Sequence, residues 1–200
     1  MYGPKKIVKI SPQSLRHEPV GKHRHRCEHW HIDNQIYFIT ARCRDRLPAF
    51  RTEAAKAIFW QQLDIKAQAH GFTPIITSLI DNHYHVLGHL REGEQLTPLI
   101  RGLHSSVARY INQVTPEAEQ VKPLFRMQTG KQYFDGAIRS SKQFIRTFRY
   151  IERQGIWHKL CQPGEAYAHT RISVERDRAM KRALRIGAFL YGVDDRKRAV

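Results

Sequence analysis

Hydrophobic residues along this chain occur either in short runs or at helical spacing, so the pattern predicts strands and helices in turn. Runs rich in β-branched and aromatic residues predict strands at 35–43, 74–80, 83–90 and, more briefly, 133–138. Apolar residues three and four apart predict helices at 53–68, 97–114, 141–154 and 174–192. The order β-α-β-β-α-β-α-α predicts the α+β class, with helices packed on a central antiparallel sheet.

Capping residues and glycine predict where two of these helices begin and end. Thr97 is expected to cap the second helix, with Pro98 at its first helical position. The third helix is expected to start after Ser140 or Ser141 and to end at Gly155. These boundaries follow from local chemistry. Capping side chains bond to the unpaired backbone N–H groups at the start of a helix, and glycine allows the chain to turn away at its end.

The length and composition predict one folded domain, or one domain with an appendage, without disulfides or membrane spans. Its 200 residues, 41% of them hydrophobic, are enough to bury a core. The three cysteines, Cys27, Cys43 and Cys161, are odd in number and widely spaced, which excludes a disulfide framework and a close metal-binding pair. No apolar run approaches the ~20 residues of a membrane span, and the first residues do not resemble a secretory signal, so we expect a cytoplasmic protein.

The charge narrows the choice of partner. There are 34 Lys and Arg against 18 Asp and Glu, a formal net charge of +16. Such an excess is typical of proteins that bind nucleic acid, because neutralising phosphates releases condensed counterions. The alternative is a solvated basic surface with no specific partner.

The third predicted strand carries the densest cluster of chemical groups. His83 and His85 are two residues apart, so they share one face of the strand while Tyr84 points to the other. Two imidazoles whose Cα atoms lie about 7 Å apart can bind one divalent ion. His89 has the same parity and is a candidate for a supporting or phosphate contact. The alternative is that these are ordinary, half-exposed strand histidines.

The third predicted helix presents a polar face that contains a tyrosine. Phe144, Phe148 and Ile151 follow the helical period and are expected to face the core. The solvent side would then present four polar residues: Arg146, Tyr150, Arg153 and Gln154. The alternative interpretation of Tyr150 is a surface residue resting on arginine stems.

A His-hydrophobe-His strand followed by a helix with Tyr-x-x-x-Gln resembles the single-tyrosine HUH transposases, and most closely the REP-associated tyrosine transposases of bacteria. The segments 37–42 and 133–139, then Lys142, Phe144 and Tyr150-Ile151, are similar to that family's first strand and to its approach to the catalytic tyrosine. The resemblance covers about residues 36–173. It implies a ferredoxin-like or RRM-like HUH endonuclease fold.

This sequence departs from the family pattern at three places. Asp81-Asn82 replaces Pro-Asn before the first histidine, and the aromatic Tyr84 stands where an aliphatic residue is usual. Gln154-Gly155 replaces the Asn-Pro that is common in the REP-associated branch. Gln154 instead matches the glutamine ligand of the related insertion-sequence branch.

The resemblance implies a metal-dependent strand transferase that acts on single-stranded or hairpin DNA. Tyr150 would be the nucleophile, leaving a 5′-phosphotyrosine and a free 3′-OH. His83, His85 and Gln154 would bind Mg²⁺ or Mn²⁺, a choice that also suits a mixed nitrogen and oxygen donor set. Residues expected to contact nucleic acid are Arg139, Lys142, Arg146, Arg149 and Arg153. The resemblance is compatible with a monomer or a homodimer. It also implies a bacterial protein that is located in the cytoplasm and associated with the nucleoid.

Aromatic residues near these motifs are candidates for stacking on unpaired bases. They are Phe125, Tyr133, Phe134 and Trp157. Because aromatic side chains are commonly buried, we expect at least half of them to belong to the core.

The chain is expected to divide into a basic arm (1–34), the transposase-like domain (35–173) and a basic C-terminal helix (174–200). The histidines and the cysteine of the run 23–31 would share one face of an extended chain, which suits a DNA-contacting arm, a zinc site or a plain edge strand. The C-terminal helix would add a DNA contact or a dimer contact. Two rival functions are a non-catalytic nucleic-acid-binding protein and a zinc-binding regulatory module.

Overall fold

The computed structural model describes residues 31–126 and 132–189. Its strands are β1 (Gln35–Arg42), β2 (Phe72–Ile80), β3 (His83–Leu90), β4 (Phe134–Ala137) and β5 (Thr170–Ile172). Its α-helices are α1 (Glu53–Ala69), α2 (Leu96–Val114), α3 (Ser141–Glu152), α4 (Gln154–Trp157) and α5 (Arg176–Arg185). The four predicted strands and four predicted helices are therefore all present.

The five strands form one antiparallel sheet in the order β4-β1-β3-β2-β5. The succession β-α-β-β-α-β with this order is the ferredoxin-like arrangement, which confirms the predicted α+β class. The register of β1 against β3 places Thr40 opposite His85 and Arg42 opposite His83. Because directly opposite residues point to the same face, Arg42 and both histidines share one side of the sheet.

The sheet separates two hydrophobic clusters. Tyr37, Ile39 and Tyr84 face α1 and α2, in the larger cluster. Ile36 and Leu87 face the other way, in a second cluster with apolar residues of α3 and α5. The basic C-terminal helix thus contributes Ala179 and Ala183 to a buried surface, while α3 is held on the same sheet face as the histidines.

The beginning of α2 differs from the prediction. The helix starts at Leu96, and Gln95 precedes it with helical dihedral angles and no side-chain cap. The reason is that a 3₁₀ turn, Gly93–Gln95, leads directly into the helix. Thr97 therefore lies inside the first turn, where its hydroxyl is 3.4 Å from the hydroxyl of Tyr133. Ser140, by contrast, caps α3 and accepts a hydrogen bond from the Gln143 backbone amide.

The end of α3 also differs from the prediction. The helix stops at Glu152, and the chain turns at Arg153 into the short helix α4, so Gly155 lies within a helix and does not end one. A Cβ atom on Gly155 would lie 2.3 Å from the Cβ of Tyr167, so the close packing of α4 requires glycine.

Two further differences concern the C-terminal part. Strand β5 was not predicted, because three residues are too short to show an alternation. The last helix ends at Arg185, well before the predicted residue 192, and Gly187 follows it with φ +63°.

The histidine-rich run 23–31, apart from His31, and the end of the chain after 189 lie outside the described residues. No helix in the described ranges is long and apolar enough to cross a membrane.

Candidate active site

His83 and His85 lie side by side near the start of β3, buried under α3. Their ring centroids are 5.0 Å apart and the rings are nearly perpendicular. Tyr84 points to the opposite face, as predicted, and its hydroxyl lies 2.9 Å from Nε2 of His104. The tyrosine therefore anchors the strand in the larger core and leaves the histidine side free for chemistry.

Burial keeps both imidazoles neutral. It lowers the pKa of His83 to about 4, helped by the positive charges of His158 and Arg42. It lowers the pKa of His85 to about 3, with His83 as the next cause. A neutral imidazole offers one nitrogen lone pair, so both rings are in the protonation state that a metal ligand needs.

Hydrogen bonds determine which nitrogen of His83 is available. Nδ1 of His83 is 2.6 Å from Oδ1 of Asn82, while the Asn82 amide group donates to the carbonyl of Arg46. Nδ1 must therefore carry the proton and donate it, which leaves the Nε2 lone pair free. In His85, neither ring nitrogen has a hydrogen bond of good geometry within the described part of the chain, although the Gln154 side chain lies close enough to affect its pKa. An unpaired buried imidazole is costly unless something else occupies its lone pair.

Gln154 approaches both histidines from α4. Its side chain is only 2% exposed, and its Nε2 donates to the backbone carbonyl of Tyr150 over 3.1 Å. Its hydrogen bonding opposes the lowering of the pKa of both His83 and His85. The amide is thus held between the nucleophile candidate and the histidine pair.

Tyr150 stands over the histidine pair and is 38% exposed. Its ring centroid is 5.2 Å from that of His85, at an angle of 78°. Phe38 of β1 lies edge-on to Tyr150 at 6.0 Å and stacks on His85 at 5.8 Å. The phenol is therefore fixed at the boundary between the buried imidazoles and solvent.

Sequence analysis did not single out two residues that the structure brings here. Arg42 is the cross-strand neighbour of His83, and its charge lowers the pKa of His83, His85 and His158. The ring of His158 lies 4.9 Å from that of His83. Only the β1–β3 register reveals Arg42, whereas the spacing of Gln154 and His158, one helical turn apart, could have indicated the histidine.

These residues fit a divalent ion in donor chemistry. His83 and His85 offer imidazole nitrogens, and the buried His85 ring, which has no well-formed hydrogen bond to the described residues, is the observation that best fits a bound ion. Within 31–126 and 132–189, no three His, Cys, Asp or Glu side chains are placed to share an ion. The amide oxygen of Gln154, which is buried beside both histidines, is the candidate third protein ligand, and such a site would leave positions for phosphate and water.

The exposed face of α3 forms a basic surface beside Tyr150. A shallow cavity of about 440 Å³ is lined by Lys142, Ile145, Arg146, Arg149, Tyr150, Arg153 and Trp157. Four of the five predicted nucleic-acid contacts are thus next to the tyrosine. Arg139 is exposed but precedes the helix, and its backbone amide donates to the side chain of Gln143.

Comparison with solved structures identifies the architecture. The structure of a REP-associated tyrosine transposase bound to a REP hairpin matches with a TM-score of 0.53 and 15% sequence identity, over 67% of this chain and 74% of that one. The chain has the fold of a REP-associated tyrosine transposase. A candidate transposase from Deinococcus radiodurans R1 is also similar, with a TM-score of 0.45, 15% identity and coverage of 60% and 91%. Neither a protein-family model nor a curated protein matches the sequence.

Within this tyrosine-transposase fold, the structure corrects the expected position of one candidate residue, Gln154, and gives the surroundings of the others. Gln154 is buried rather than on the solvent face of α3, because the chain turns at Arg153. His89 is remote from the histidine pair, since its Nε2 is bonded to the side chain of Asn34 at the other end of β3. Phe125 and Tyr133 belong to the larger core, whereas Phe134 and Trp157 are exposed, which confirms the prediction that at least half of these four aromatic residues are core residues.

Proposed function

We propose that this protein is a DNA strand transferase that cuts and rejoins single-stranded or hairpin DNA through a covalent bond to Tyr150. The observation that carries this proposal is the position of the partly exposed Tyr150 ring, 5.2 Å from the buried ring of His85. The alternative, a tyrosine that only rests on the surface, does not account for the neutral histidine pair and the buried amide beneath its ring.

The proposed reaction is a transesterification. The phenol oxygen of Tyr150 loses its proton to solvent and attacks phosphorus, forming a Tyr–O–P bond while the bond from phosphorus to the 3′-oxygen breaks. The 3′-oxygen takes up a proton and leaves as a free 3′-OH. The number of phosphoester bonds is unchanged, so a second 3′-OH can reverse the step and join a new strand.

The residues around Tyr150 would hold the reacting phosphate. Arg42 lies beside His83 and offers a guanidinium, whose planar donors suit a phosphate. His83, His85 and the Gln154 oxygen would hold the metal, Mg²⁺ or Mn²⁺. When bound, such an ion polarises a non-bridging phosphate oxygen. The basic face of α3 would hold the neighbouring backbone phosphates.

A single-stranded or hairpin substrate is supported by two observations. The net charge of +16 and the basic cavity next to Tyr150 suit a nucleic acid. The structural relative with the same fold was solved with a REP hairpin bound.

Detection of a covalent adduct tests the proposal. The protein is incubated with a labelled single-stranded hairpin and Mn²⁺, then boiled in SDS, and the wild type is expected to give a shifted band. Tyr150→Phe should abolish the band while leaving binding nearly unchanged, because it removes one oxygen and no charge. Tyr110→Phe, a tyrosine on α2 away from the site, is the control and should keep the band.

The outcomes separate the rival functions. An adduct that survives in Tyr150→Phe would contradict the assignment of the nucleophile. DNA binding without any adduct in the wild type would instead indicate a non-catalytic nucleic-acid-binding protein.

A further inference from the structure

Three aromatic side chains of the described residues are well exposed, and all three surround the candidate site. Phe134 is 37% exposed, Tyr150 38% and Trp157 54%. All other Phe, Tyr and Trp side chains of the described residues are buried or half-buried. Exposed aromatic surface that gathers at one place is a sign of a binding site rather than of ordinary surface composition.

These rings form a row. Phe134 on β4 contacts Phe38 edge-on at 6.3 Å, and Phe38 contacts Tyr150 at 6.0 Å. At the other end, Trp157 of α4 lies against Tyr150 at 5.2 Å with a tilt of 56°. Phe134 and Trp157 thus contact different members of the central pair and stand at the two ends of the row.

The short helix α4 accounts for the position of Trp157. Gln154 at its first residue is buried beside the histidines, and Trp157 at its last residue is turned to solvent. The same short helix therefore places the Gln154 amide beside the histidines and the Trp157 ring on the surface next to Tyr150.

The end of the row formed by Tyr150 and Trp157 has basic surroundings. Trp157 and Tyr150 share their cavity with four cationic side chains, Lys142, Arg146, Arg149 and Arg153. A ligand that suits such a surface carries flat apolar faces next to negative charges. Single-stranded DNA has both, whereas the base faces of a duplex are covered by stacking.

We propose that Trp157 and Phe134 are stacking platforms for the unpaired bases on the two sides of the cleaved phosphate. The strand lies along the row of rings, so that its phosphate meets Tyr150 between the two stacked bases. This inference rests on the proposed function for the position of the phosphate. It adds a preference for unpaired bases, and that preference tolerates different sequences because every base has a face to stack.

Binding measured without metal tests the inference separately from catalysis. In EDTA, Trp157→Ala and Phe134→Ala are each expected to weaken binding of a single-stranded deoxyoligonucleotide about tenfold to a hundredfold. Binding of a matched duplex should change little. Trp157→Phe should recover most of the lost affinity, because it restores an aromatic face.

Tryptophan fluorescence supplies an independent readout. Stacking of a base on Trp157 should quench the emission of the protein on addition of the single strand. Because Trp30 lies in the arm that is itself a candidate DNA contact, all proteins in this experiment also carry Trp30→Phe. In that background the quenching should disappear in Trp157→Phe. It should persist in Trp60→Phe, because Trp60 packs against Phe59 and Arg171 away from the site.

The outcomes are decisive whether or not the protein proves to be a strand transferase. Unchanged affinity and unchanged quenching would overturn the inference even if the covalent adduct forms. Equal weakening of duplex and single strand would overturn it as well, because stacking requires unpaired bases. Tighter binding of an RNA of the same sequence would overturn the choice of DNA. A change of oligomeric state in Trp157→Ala would also overturn the inference, because it would show that a second copy of the chain covers Trp157. Quenching and selective weakening without an adduct would support the stacking site and remove the proposed reaction.

Discussion

His83, His85 and His89 point to the same side of β3 but lie in different surroundings. The first two face Tyr150 and Gln154, whereas His89 is bonded to Asn34. Its Cα lies about 13 Å along the strand from that of His85, at ~3.3 Å per residue. Chemistry at Tyr150 should therefore depend on the first two and not on the third.

We expect His83→Ala and His85→Ala to slow adduct formation by at least a hundredfold, because polarisation of the phosphate by a bound ion is worth several kcal/mol. His89→Ala should slow it less than about tenfold. Timed SDS gels at increasing Mn²⁺ measure the effect. Higher Mn²⁺ should partly restore a single-histidine variant and should not restore Tyr150→Phe. A larger defect in His89→Ala than in either of the other variants would contradict the proposed metal site.

Arg42 provides a second prediction for a single residue. Arg42→Ala should slow adduct formation about tenfold to a hundredfold, the equivalent of one hydrogen bond to a charged group of about 1.5–3 kcal/mol. Arg42→Lys should recover only part of the rate, because an ammonium cannot donate in the same planar geometry.

Arg44→Ala is the matched control for this prediction. Arg44 lies two residues further on and pairs with the exposed carboxylate of Asp45. It should therefore leave the rate near that of the wild type. Equal effects of the two alanine variants would show that Arg42 contributes only general positive charge.

At the scale of elements, the joint between α3 and α4 determines whether the site is complete. A single continuous helix would carry residue 154 along the solvent side of α3, as the periodicity predicts. The break at Arg153 instead brings Gln154 under Tyr150. The break is compatible with the packing only because Gly155 has no Cβ atom, since one would lie 2.3 Å from Tyr167.

Gly155→Ala should therefore destabilise the protein by about 1–3 kcal/mol, the usual range for overpacking, and should impair adduct formation by displacing Gln154. Gly102→Ala in α2 is the control, because its new Cβ would meet nothing closer than 3.5 Å. That variant should gain about 0.5–1 kcal/mol from helix propensity. Urea unfolding of both variants checks the prediction. A Gly155→Ala protein as stable and active as the wild type would refute the packing argument.

At the scale of the whole molecule, several histidines in the interior couple stability to pH. Burial is the main cause that lowers the pKa of His83 and His89 to about 4 and that of His85 and His104 to about 3. The unfolded chain binds these protons near pH 6.5, whereas the folded chain does not. Stability is therefore complete above the unfolded pKa and falls as the pH decreases below it.

We expect the free energy of unfolding in EDTA to fall between pH 7 and pH 5, above the range in which carboxylates titrate. Each such histidine contributes a slope of at most about 1.4 kcal/mol per pH unit. His104→Gln should reduce the slope, since it removes a buried ring with a lowered pKa, and this ring stacks on Phe125 of the larger core, on the other side of the sheet from His83 and His85. Urea titrations at several pH values measure the slope, and a flat profile over this interval would contradict the prediction.

The sequence by itself determined the element order and indicated most of the candidate site residues. Four strands, the class of the sheet and the opposite orientations of His83 and Tyr84 follow from periods of 2 and 3.6, which are properties of the local backbone. The exposure of Tyr150 was predicted because this residue lies off the apolar stripe of α3, whereas its role as a nucleophile is implied only by the resemblance. The family resemblance was carried by the same short motifs, and the structural match confirms the fold that it implied.

Only the tertiary structure decided which of these groups meet. The β1–β3 register places Arg42 beside His83, and the turn at Arg153 buries Gln154; both depend on contacts between residues far apart in the chain. Burial likewise separated Phe125 and Tyr133, which fill the core, from Phe134 and Trp157, which face solvent. The sequence shows whether a side chain is apolar or polar, but the packing of elements that are distant in the chain decides whether that side chain is buried or exposed.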